Sequence, residues 1–347
     1  MSQKKALIAM SGGVDSSVAA FLMQRSGYAC GGAIMELWGD QSGNIEDARS
    51  VAGRLDIPFY VLDNTAIFRA HVVDSFIRCY EEGGTPNPCI ACNRHLKFGA
   101  FLDQALALGY EYIATGHYAQ IKKSGDRFLL CRAADKAKDQ TYFLASLTQQ
   151  QLKHVRFPLG ELTKNQIRQI AEEQGFITAK KRDSQDICFI PDGDYKAFME
   201  AYTQKQYPAG DYLDLQGNVV GKHTGAVGYT IGQRKGLGIA MGQPVYVCDK
   251  DMAQNTVTLG PNEALFRKEL LAKDWNWIAI DAPAQPIRVT AKVRYRHTEQ
   301  PATVYPEADG TARVVFDEPQ RAITTGQAVV LYDGDTVIGS ATIQKVL

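Results

Sequence analysis

The residues with the clearest capacity for chemistry lie in a short turn near the start of the chain. The stretch ALIAM has the pattern of a buried strand, and it leads into Ser11-Gly12-Gly13-Val14-Asp15-Ser16-Ser17 and then into a helical pattern. Glycines let an anion approach the backbone, and the N-terminus of a helix favours negative charge. The turn lacks the Gly-Lys-Ser/Thr ending of a P-loop and the glycine spacing of a dinucleotide-binding fingerprint. It therefore predicts a pyrophosphate site, the alternative being a glycine-rich connection without a ligand.

Two cysteines lie at the predicted start of a helix. The stretch TPNPCIACNRHLKF places Cys89 and Cys92 three residues apart, and the helical pattern continues to Leu108. The positive end of a helix dipole favours a thiolate, and Arg94 and His95 add positive charge nearby. We therefore expect a reactive thiol here.

A third cysteine lies much further along the chain. Cys188, in KKRDSQDICFI, follows Lys180-Lys181-Arg182, a cationic neighbourhood suited to a thiolate or to a phosphodiester. A zinc ribbon would need a second pair of ligands, which the sequence lacks at suitable spacing. An iron–sulfur site built from Cys89, Cys92 and Cys188 remains an alternative, as does a structural role for these residues.

Composition and charge limit the class of protein. The chain has 347 residues, of which 45% are hydrophobic and 22% charged, so we expect an ordinary globular protein of two or three domains. It has no apolar run that would cross a bilayer and no signal-peptide pattern, so we expect a cytoplasmic protein with no membrane partner. Lys plus Arg and Asp plus Glu both total 38, so a nucleic acid would have to be bound by local patches.

The hydrophobic pattern predicts an α/β fold that positions the turn and the first two thiols. From Lys5 to Tyr118, the runs ALIAM, AIMEL, FYVL and YIAT read as strands that alternate with helical periodicity, as in a parallel, Rossmann-like sheet. KKSGDRF suggests a hairpin. The segment from 140 to 176 reads as helices, one of them capped by Thr163 and ended by Gly175.

The later part of the chain has a different character. We place the first domain at 1–200, a small glycine-rich central domain at 201–265 and an antiparallel β-barrel at 266–347. The barrel is expected from alternating apolar and polar residues, with hairpin turns at Asp309-Gly310 and Asp333-Gly334.

These motifs together resemble a known family. SGGVDSS after a strand resembles the loop of the ATP pyrophosphatase, or PP-loop, superfamily, whose members adenylate an oxygen and release pyrophosphate. An adenylated oxygen is a good leaving group, so reactive cysteines beside such a loop indicate sulfur transfer. AMSGGVDSS, TPNPCIACNRHLKF, ATGHYA, KDQTYFL, SQDICFIPDGDY, YTIGQRKGLGI, RYRH and TGQ, in this order, resemble the bacterial tRNA-specific 2-thiouridylases. The resemblance implies a sulfurtransferase that uses ATP and Mg²⁺ to make 2-thiouridine at the wobble position of tRNAs for Lys, Glu and Gln.

The resemblance also implies roles for individual residues. Cys188 matches the position of the persulfide carrier, and Cys92 matches the nucleophile that resolves the persulfide and leaves a Cys92–Cys188 disulfide. Asp15 lies where such enzymes hold Mg²⁺. The residues that match ATP-binding positions are Ala9, Met10, Ser11, Gly12, Gly13, Val14, Asp15, Ser16, Met35 and Gly116.

The implied tRNA contacts are spread along the chain. The flipped target base would be received by residues 87–89, because its C2 atom is unreachable while the base is stacked. A departure from the family pattern matters here: many members have Asp at the position of Cys89, so the general acid–base role is left open. The positions that match tRNA contacts are Asn87, Pro88, Cys89, His117, Lys138, Asp139, Gln140, Arg294, Tyr295 and Gln327.

Other readings stay open at this point. Cluster-dependent thiolation would use an iron–sulfur cofactor on the three cysteines, an amide-forming ligase would keep the adenylation but not need Cys188, and an RNA-binding protein would bind ATP without chemistry. The expected partners are tRNA and a sulfur donor, either a persulfide relay protein or a cysteine desulfurase.

Overall fold

A computed structural model describes residues 3–181 and 187–347. The strands are β1 (Lys5–Ala9), β2 (Ala29–Glu36), β3 (Phe59–Asp63), β4 (Tyr112–Ala114), β5 (Ala119–Ser124), β6 (Arg127–Arg132), β7 (Val155–Arg156), β8 (Gly210–Leu213), β9 (Val219–His223), β10 (Tyr246–Asp251), β11 (Thr256–Gly260), β12 (Phe266–Trp277), β13 (Ile287–Lys292), β14 (Gln300–Pro306), β15 (Ala312–Arg321), β16 (Ala328–Asp333) and β17 (Thr336–Val346).

The α-helices are α1 (Val14–Arg25), α2 (Ser42–Arg54), α3 (Thr65–Phe68), α4 (Asp74–Glu81), α5 (Pro88–Cys92), α6 (Phe101–Ala107), α7 (Thr141–Leu144), α8 (Gln149–His154), α9 (Lys164–Glu173) and α10 (Tyr195–Thr203). Two segments are π-helical, Arg69–Val73 and Asn93–Ala100, and short 3₁₀ turns span Ile177–Lys180, Ala226–Gly228 and Asn262–Leu265. Within the described ranges, no helix is long and apolar enough to span a membrane.

The first sheet is parallel and covered on both faces, as predicted. Its strands run in the order β3-β2-β1-β4-β7. Leu7 and Ile8 are neighbours in β1, and both are fully buried. Ile8 packs in a cluster with residues of α1, α2 and α9, whereas Leu7 packs with residues of α6, α7 and α8. This two-sided burial explains the continuous apolar run in β1 and confirms a Rossmann-like α/β domain.

The predicted helices form, with local departures from α geometry. Thr163 caps α9 through a capping box with Gln166, and Gly175 follows the helix with a φ of +62°, as the sequence indicated. The helical patterns around residues 68–80 and 89–108 each contain one of the π-helical segments. Hydrophobic periodicity does not distinguish such a segment from an ordinary helix.

The prediction of helices from 140 to 176 is wrong at one short strand. Val155–Arg156 forms β7, and it pairs in parallel with Ile113 and Ala114 of β4. Two residues are too few to give a strand pattern, and the pairing with an existing sheet edge overrides local propensity.

The central and C-terminal regions are β-rich, as predicted. Strands β10-β11-β8-β9 form a small sheet, and strands β12-β15-β14-β13-β16-β17 form an antiparallel barrel that closes through pairing of β12 with β17. The predicted hairpin pairs β5 with β6, and β6 also joins barrel strand β17 through Cys131 and Thr336. The barrel is therefore fastened to the first domain by a shared sheet edge.

Candidate active site

The glycine turn, residues 10–17, lies where β1 ends and α1 begins. Gly13 precedes α1 in an extended conformation and, as a glycine, has no side chain to cap the first N–H groups of the helix. The Ser16 and Ser17 hydroxyls donate to the Gly13 carbonyl oxygen at 3.0 and 2.9 Å, and the Ser11 N–H donates to Ser16 Oγ at 3.1 Å. The hydroxyls thus hold the turn in shape while the helix N-terminus stays available to an anion.

Two glycines let the turn be packed from both sides. Gly12 has a φ of +68°, and a Cβ there would lie 2.6 Å from the Asn44 carbonyl oxygen. A Cβ on Gly116, just after β4, would lie 2.8 Å from the backbone of Asp15 and of Ser16. Gly116 therefore contributes to the same site as the turn, as expected of neighbouring strands whose carboxyl ends share one sheet edge.

The carboxylate of Asp15 is held by a lysine that the sequence analysis did not identify. Lys164 Nζ lies 2.8 and 2.9 Å from the two Asp15 carboxylate oxygens, and the Tyr118 hydroxyl donates to Asp15 Oδ1 at 2.7 Å. The Lys164 side chain is only 10% exposed. Lysine in the first turn of a helix opposes the helix dipole, and this anomaly was the available signal of a partner elsewhere.

Lys181 contacts the glycine turn from the opposite side. Its ammonium donates to the Gly12 carbonyl oxygen at 3.0 Å and to Asn44 Oδ1 at 2.9 Å, and it pairs with Asp47 Oδ2 at 2.7 Å. The prediction that Lys181 supplies positive charge to Cys188 is therefore wrong, because its ammonium binds the glycine turn and α2 instead. The side chain of Lys180 and the whole of Arg182, predicted for the same role, lie outside the described residues.

The distant cysteines come together in the fold. Cys92 is buried in a cluster with Leu96 and Phe189, and Ile187 packs against the same cluster. Cys188 lies between Ile187 and Phe189, and Cys89 and Cys92 lie close enough that their ionised forms would raise the pKa of its thiol. The structure thus groups the three predicted thiols, with Cys89 and Cys188 exposed and Cys92 buried.

The expected lowering of the thiol pKa values is wrong. Desolvation by surrounding protein atoms raises the pKa of Cys89 and of Cys92, and it raises the pKa of Cys188 to about 11. Although Cys89 and Cys188 are exposed as whole residues, desolvation of the sulfur outweighs the lowering by the nearby cation at all three thiols. All three are therefore neutral thiols at pH 7.

Among the residues that the structure describes, the cation that acts on these thiols is Lys97 rather than Arg94 or His95. Its ammonium opposes the desolvation and lowers the pKa of each of the three cysteines. Hydrogen bonds in a π-helix join residues five apart, so the π-helical segment brings Lys97 round towards the face of Cys92. His95 instead stacks on His71, with ring centroids 4.6 Å apart. Periodicity of an ordinary helix gave no signal for Lys97.

His117 connects the glycine turn to the thiols. It follows Gly116, and its ring lies 5.7 Å from that of Phe98, which is next to Lys97 in the chain. Thr115 Oγ1 hydrogen-bonds His117 Nδ1 at 2.7 Å. Burial and then the charge of Lys97 hold the pKa of His117 well below its usual value, so the imidazole is neutral at pH 7.

The residues expected to receive the base form the start of α5. Asn87 Oδ1 accepts a hydrogen bond from the Ile90 N–H at 3.3 Å, and Pro88 is the first residue of the helix. Asparagine at the cap and proline at the first position are both favoured there. These residues therefore fix the helix that carries Cys89 and Cys92.

Two residues that are predicted to contact tRNA, Asp139 and Gln140, have side chains that hydrogen-bond within the first domain. Asp139 is buried, accepting from the Ala133 N–H at 3.0 Å and from the Thr141 hydroxyl at 2.6 Å. Gln140 Oε1 accepts from the Tyr118 N–H at 2.9 Å. The Lys138 N–H donates to the Asp135 carbonyl oxygen at 3.0 Å.

Three further residues that are predicted to contact tRNA lie in the barrel. Arg294 donates to the carbonyl oxygens of Ala322 and Ile231 at 3.1 and 3.0 Å and to Thr324 Oγ1 at 2.6 Å. The ring of Tyr295 lies 4.4 Å from that of Phe143. Gln327 is buried and donates to the Thr85 and Pro86 carbonyl oxygens.

Met35 belongs to the buried core of the first domain. Its side chain is 9% exposed, and it packs in the cluster that contains Leu7. Its position in β2 places it at the sheet edge where the glycine turn lies.

The implied metal groups make different demands on the residues present. In residues 3–181 and 187–347, no group of three or more His, Cys, Asp or Glu side chains is arranged to hold a metal ion. The three cysteines therefore do not fit an iron–sulfur cluster in this structure. Mg²⁺ makes a smaller demand, since one or two carboxylates together with substrate phosphates suffice, and Asp15 supplies such a carboxylate.

The parallel sheet and its glycine turn define a nucleotide-binding α/β domain, here followed by two β-rich domains. Three family models match accordingly: the "tRNA methyl transferase HUP domain" at residues 4–192, the "tRNA methyl transferase PRC-barrel domain" at 196–261 and the "Aminomethyltransferase beta-barrel domain" at 267–343.

Full-length relatives specify the family further. The chain is 49% identical to the tRNA-specific 2-thiouridylase MnmA of Clostridioides difficile, over 99% of both chains. It is 49% identical to that of Acetivibrio thermocellus, over 99% of this chain and 100% of the other, and 48% identical to that of Clostridium perfringens, over 100% of both. The chain belongs to the family of tRNA-specific 2-thiouridylases, as its motifs indicated.

Proposed function

We propose that this protein catalyses ATP-dependent 2-thiolation of the wobble uridine in tRNAs for Lys, Glu and Gln. One observation carries the proposal. The glycine turn packs against Gly116, and the next residue, His117, lies beside Phe98 of the π-helical segment. That segment continues directly from α5, whose last residue, Cys92, lies near Cys188. The glycine turn and a pair of thiols are thus joined by a short series of contacts, which supports adenylation followed by sulfur transfer.

The first step is adenylation of the uracil C2 oxygen. The triphosphate of ATP would lie against residues 9–16, where the N–H groups in the first turn of α1 favour an anion. Mg²⁺, held by Asp15, would neutralise charge that develops on the phosphates. The C2 oxygen attacks the α-phosphorus, the bond to the β-phosphate oxygen breaks, pyrophosphate leaves, and the N3 proton passes to solvent.

Lys164 and the adenine side of the site complete this step. In the structure the Lys164 ammonium occupies both oxygens of Asp15. We propose that it moves to the phosphates when ATP and Mg²⁺ bind, so that the carboxylate becomes available to the metal ion. Met35 and Gly116 would lie beside the nucleoside, at the carboxyl edge of the sheet.

The second step transfers sulfur from Cys188. A donor protein, either a persulfide relay protein or a cysteine desulfurase, would load a persulfide on Cys188. The terminal sulfur attacks C2, and AMP leaves with the former uracil oxygen. The Cys92 thiolate then attacks Cys188 Sγ, which forms a Cys92–Cys188 disulfide and releases the 2-thiouracil anion. Its N3 atom takes up a proton, and a cellular dithiol reduces the disulfide for the next cycle.

The environment of the thiols suits a protected reaction centre. Cys92 is buried and its pKa is raised by desolvation, so it is unreactive towards solutes until substrate binding changes its surroundings. Lys97 supplies the positive charge that favours its thiolate at that stage. Cys188 is exposed, as loading by a partner protein requires.

Recognition of tRNA would combine base stacking with phosphate contacts. His117 is neutral at pH 7, so we assign it a stacking or hydrogen-bonding role next to the flipped base rather than a charged contact with phosphate. Residues 87–89 would receive the base. Lys138 and Tyr295 would contribute a phosphate contact and a stacking surface at the junction with the barrel.

The proposed division of labour follows the three domains. We assign catalysis to residues 1–200, a connecting role to 201–265 and tRNA binding to the barrel at 266–347. The side chains of Asp139, Gln140 and Arg294 already bind their own chain, so we assign them to shaping the tRNA-binding surface.

The test is reconstitution with unmodified tRNA, ATP, Mg²⁺ and a competent persulfide donor. We expect 2-thiouridine, AMP and pyrophosphate with the wild-type protein, and no 2-thiouridine with Cys188→Ser. Thiolation that survives Cys188→Ser would contradict the persulfide route. Absence of pyrophosphate release would favour a protein that only binds RNA.

The iron–sulfur alternative is tested on the same preparation. Anaerobic purification followed by an absorption spectrum and iron analysis should give no stoichiometric iron. Iron bound in stoichiometric amount and lost in Cys89→Ser would favour cluster-dependent thiolation of the same base.

A further inference from the structure

Gln327 is a barrel residue whose side chain forms hydrogen bonds with the first domain. It is 9% exposed, and its Nε2 group donates to the carbonyl oxygens of Thr85 at 3.0 Å and Pro86 at 3.1 Å. A side-chain amide has two N–H donors. The two carbonyl acceptors therefore match the donor capacity of this group.

The backbone next to Gln327 makes a second attachment to the same loop. The Thr85 N–H donates to the Thr325 carbonyl oxygen at 2.8 Å. Glycines on both sides allow this close approach: a Cβ on Gly84 would lie 3.1 Å from the Thr325 carbonyl oxygen, and a Cβ on Gly326 would lie 2.5 Å from Cys79 Sγ. Gly326 also has a φ of +83°, which favours glycine at this position.

The attached loop leads directly into the helix that carries the thiols. Asn87, which follows Pro86, caps α5, and the helix then presents Cys89 and Cys92. A helix that begins at a fixed residue has its first turn fixed in position. The barrel thus acts on the first turn of α5 through residues 85–87.

We propose that Gln327 is a positioning residue that holds the first turn of α5, and with it Cys92, from the barrel. We call the hydrogen bonds that Gln327 and Thr325 make with residues 85 and 86 the brace. The effect of the brace on thiolation rests on the proposed function, whereas the brace itself is a property of the free protein. The resemblance assigned Gln327 to tRNA contact. The brace couples the domain proposed to bind tRNA to the thiols without requiring that contact.

The brace is tested by removing the amide while keeping side-chain volume. In Gln327→Met the two donors are lost, so the loop and the first turn of α5 open more often. Each hydrogen bond corresponds to roughly five-fold in such an equilibrium, so we expect Cys92 alkylation by iodoacetamide to become about 5- to 30-fold faster. The rate is followed by peptide mass spectrometry on reduced, metal-free, full-length protein. Buried Cys131 serves as the internal reference.

The matched control is Gln320→Met, a glutamine at the end of β15 whose amide donates to the Glu318 carbonyl oxygen. Its Cys92 rate should stay at the wild-type value. Tight tRNA binding should persist in Gln327→Met while kcat for thiolation falls. A Cys92 rate within two-fold of wild type would overturn the proposal, whatever happens to tRNA affinity. Faster Cys92 alkylation supports the brace even if tRNA affinity also falls.

Hydrogen exchange on the wild-type protein keeps the test independent of how the variant folds. The Thr85 amide should exchange as slowly as amides in the barrel strands, because Thr325 accepts its hydrogen bond. Exchange at the rate of an open loop would overturn the proposal. Neither readout needs thiolation activity, so failure of the proposed function and failure of the brace are distinguishable.

Discussion

Replacing Lys164 by methionine tests how the site handles the charge of ATP. The side chains of Lys164 and Asp15 are 10% and 29% exposed. The exposure of this ion pair is therefore intermediate between that of a surface pair and that of a buried pair. Exposed pairs contribute about 0–1 kcal/mol, and breaking a buried pair costs about 3–5 kcal/mol. We take about 2 kcal/mol for the loss of this ammonium next to a triphosphate, which corresponds to about 30-fold in Kd.

The direction of the change in ATP affinity follows from charge. Without the ammonium, the Asp15 carboxylate is left uncompensated beside the polyanion, so ATP should bind about 30-fold more weakly in the presence of EDTA. Excess Mg²⁺ should reduce this deficit, because the released carboxylate can bind the metal ion. Isothermal titration with ATP, with and without Mg²⁺, measures both effects.

The controls separate the specific pair from a general loss of charge. Lys153→Met removes the same charge from an exposed residue of α8 and should leave the Kd unchanged. Lys164→Arg keeps the charge and should restore most of the affinity. A Lys164→Met protein that binds ATP in EDTA within two-fold of wild type would refute the reasoning.

Three further predictions concern single residues. Cys188→Ser should abolish 2-thiouridine formation while leaving ATP affinity within two-fold of wild type, and titration with ATP checks the second part. Because the pKa of Cys188 is raised to about 11, its thiolate fraction, and so its alkylation rate, should rise about ten-fold per pH unit from pH 7 to 10; a plateau near pH 8 would contradict this. Gly12→Ala should destabilise the first domain by about 1–3 kcal/mol, since φ is +68° and Asn44 is in the way; an unchanged melting temperature would argue against that conformation.

The sequence identified features that are local in the chain. The strand before the glycine turn, the cap at Thr163 and the barrel hairpins depend on residues close to one another, and the structure contains all of them. Residue types and spacing also singled out Cys92 and Cys188. The proximity of Cys92 and Cys188 in the fold was implied by the family resemblance and not by any local pattern.

The partners of charged groups were decided by tertiary structure. The sequence placed Lys181 beside Cys188 because they are near in the chain, but the fold directs its ammonium to Gly12. Lys164 reaches Asp15 across the domain, and Lys97 approaches the thiols because the helix changes to π geometry. Desolvation of the sulfur atoms by surrounding protein likewise reversed the expected direction of the thiol pKa shifts.

The sequence by itself thus determined the architecture, the glycine turn and the three cysteines that the fold groups together. Only the tertiary structure decided which cation faces which anion, how solvated each thiol is, and that Gln327 holds the loop before α5. The physical reason is range: caps, turns and strand patterns are set by neighbours in the chain, whereas desolvation and ion pairing depend on every atom that folding brings near.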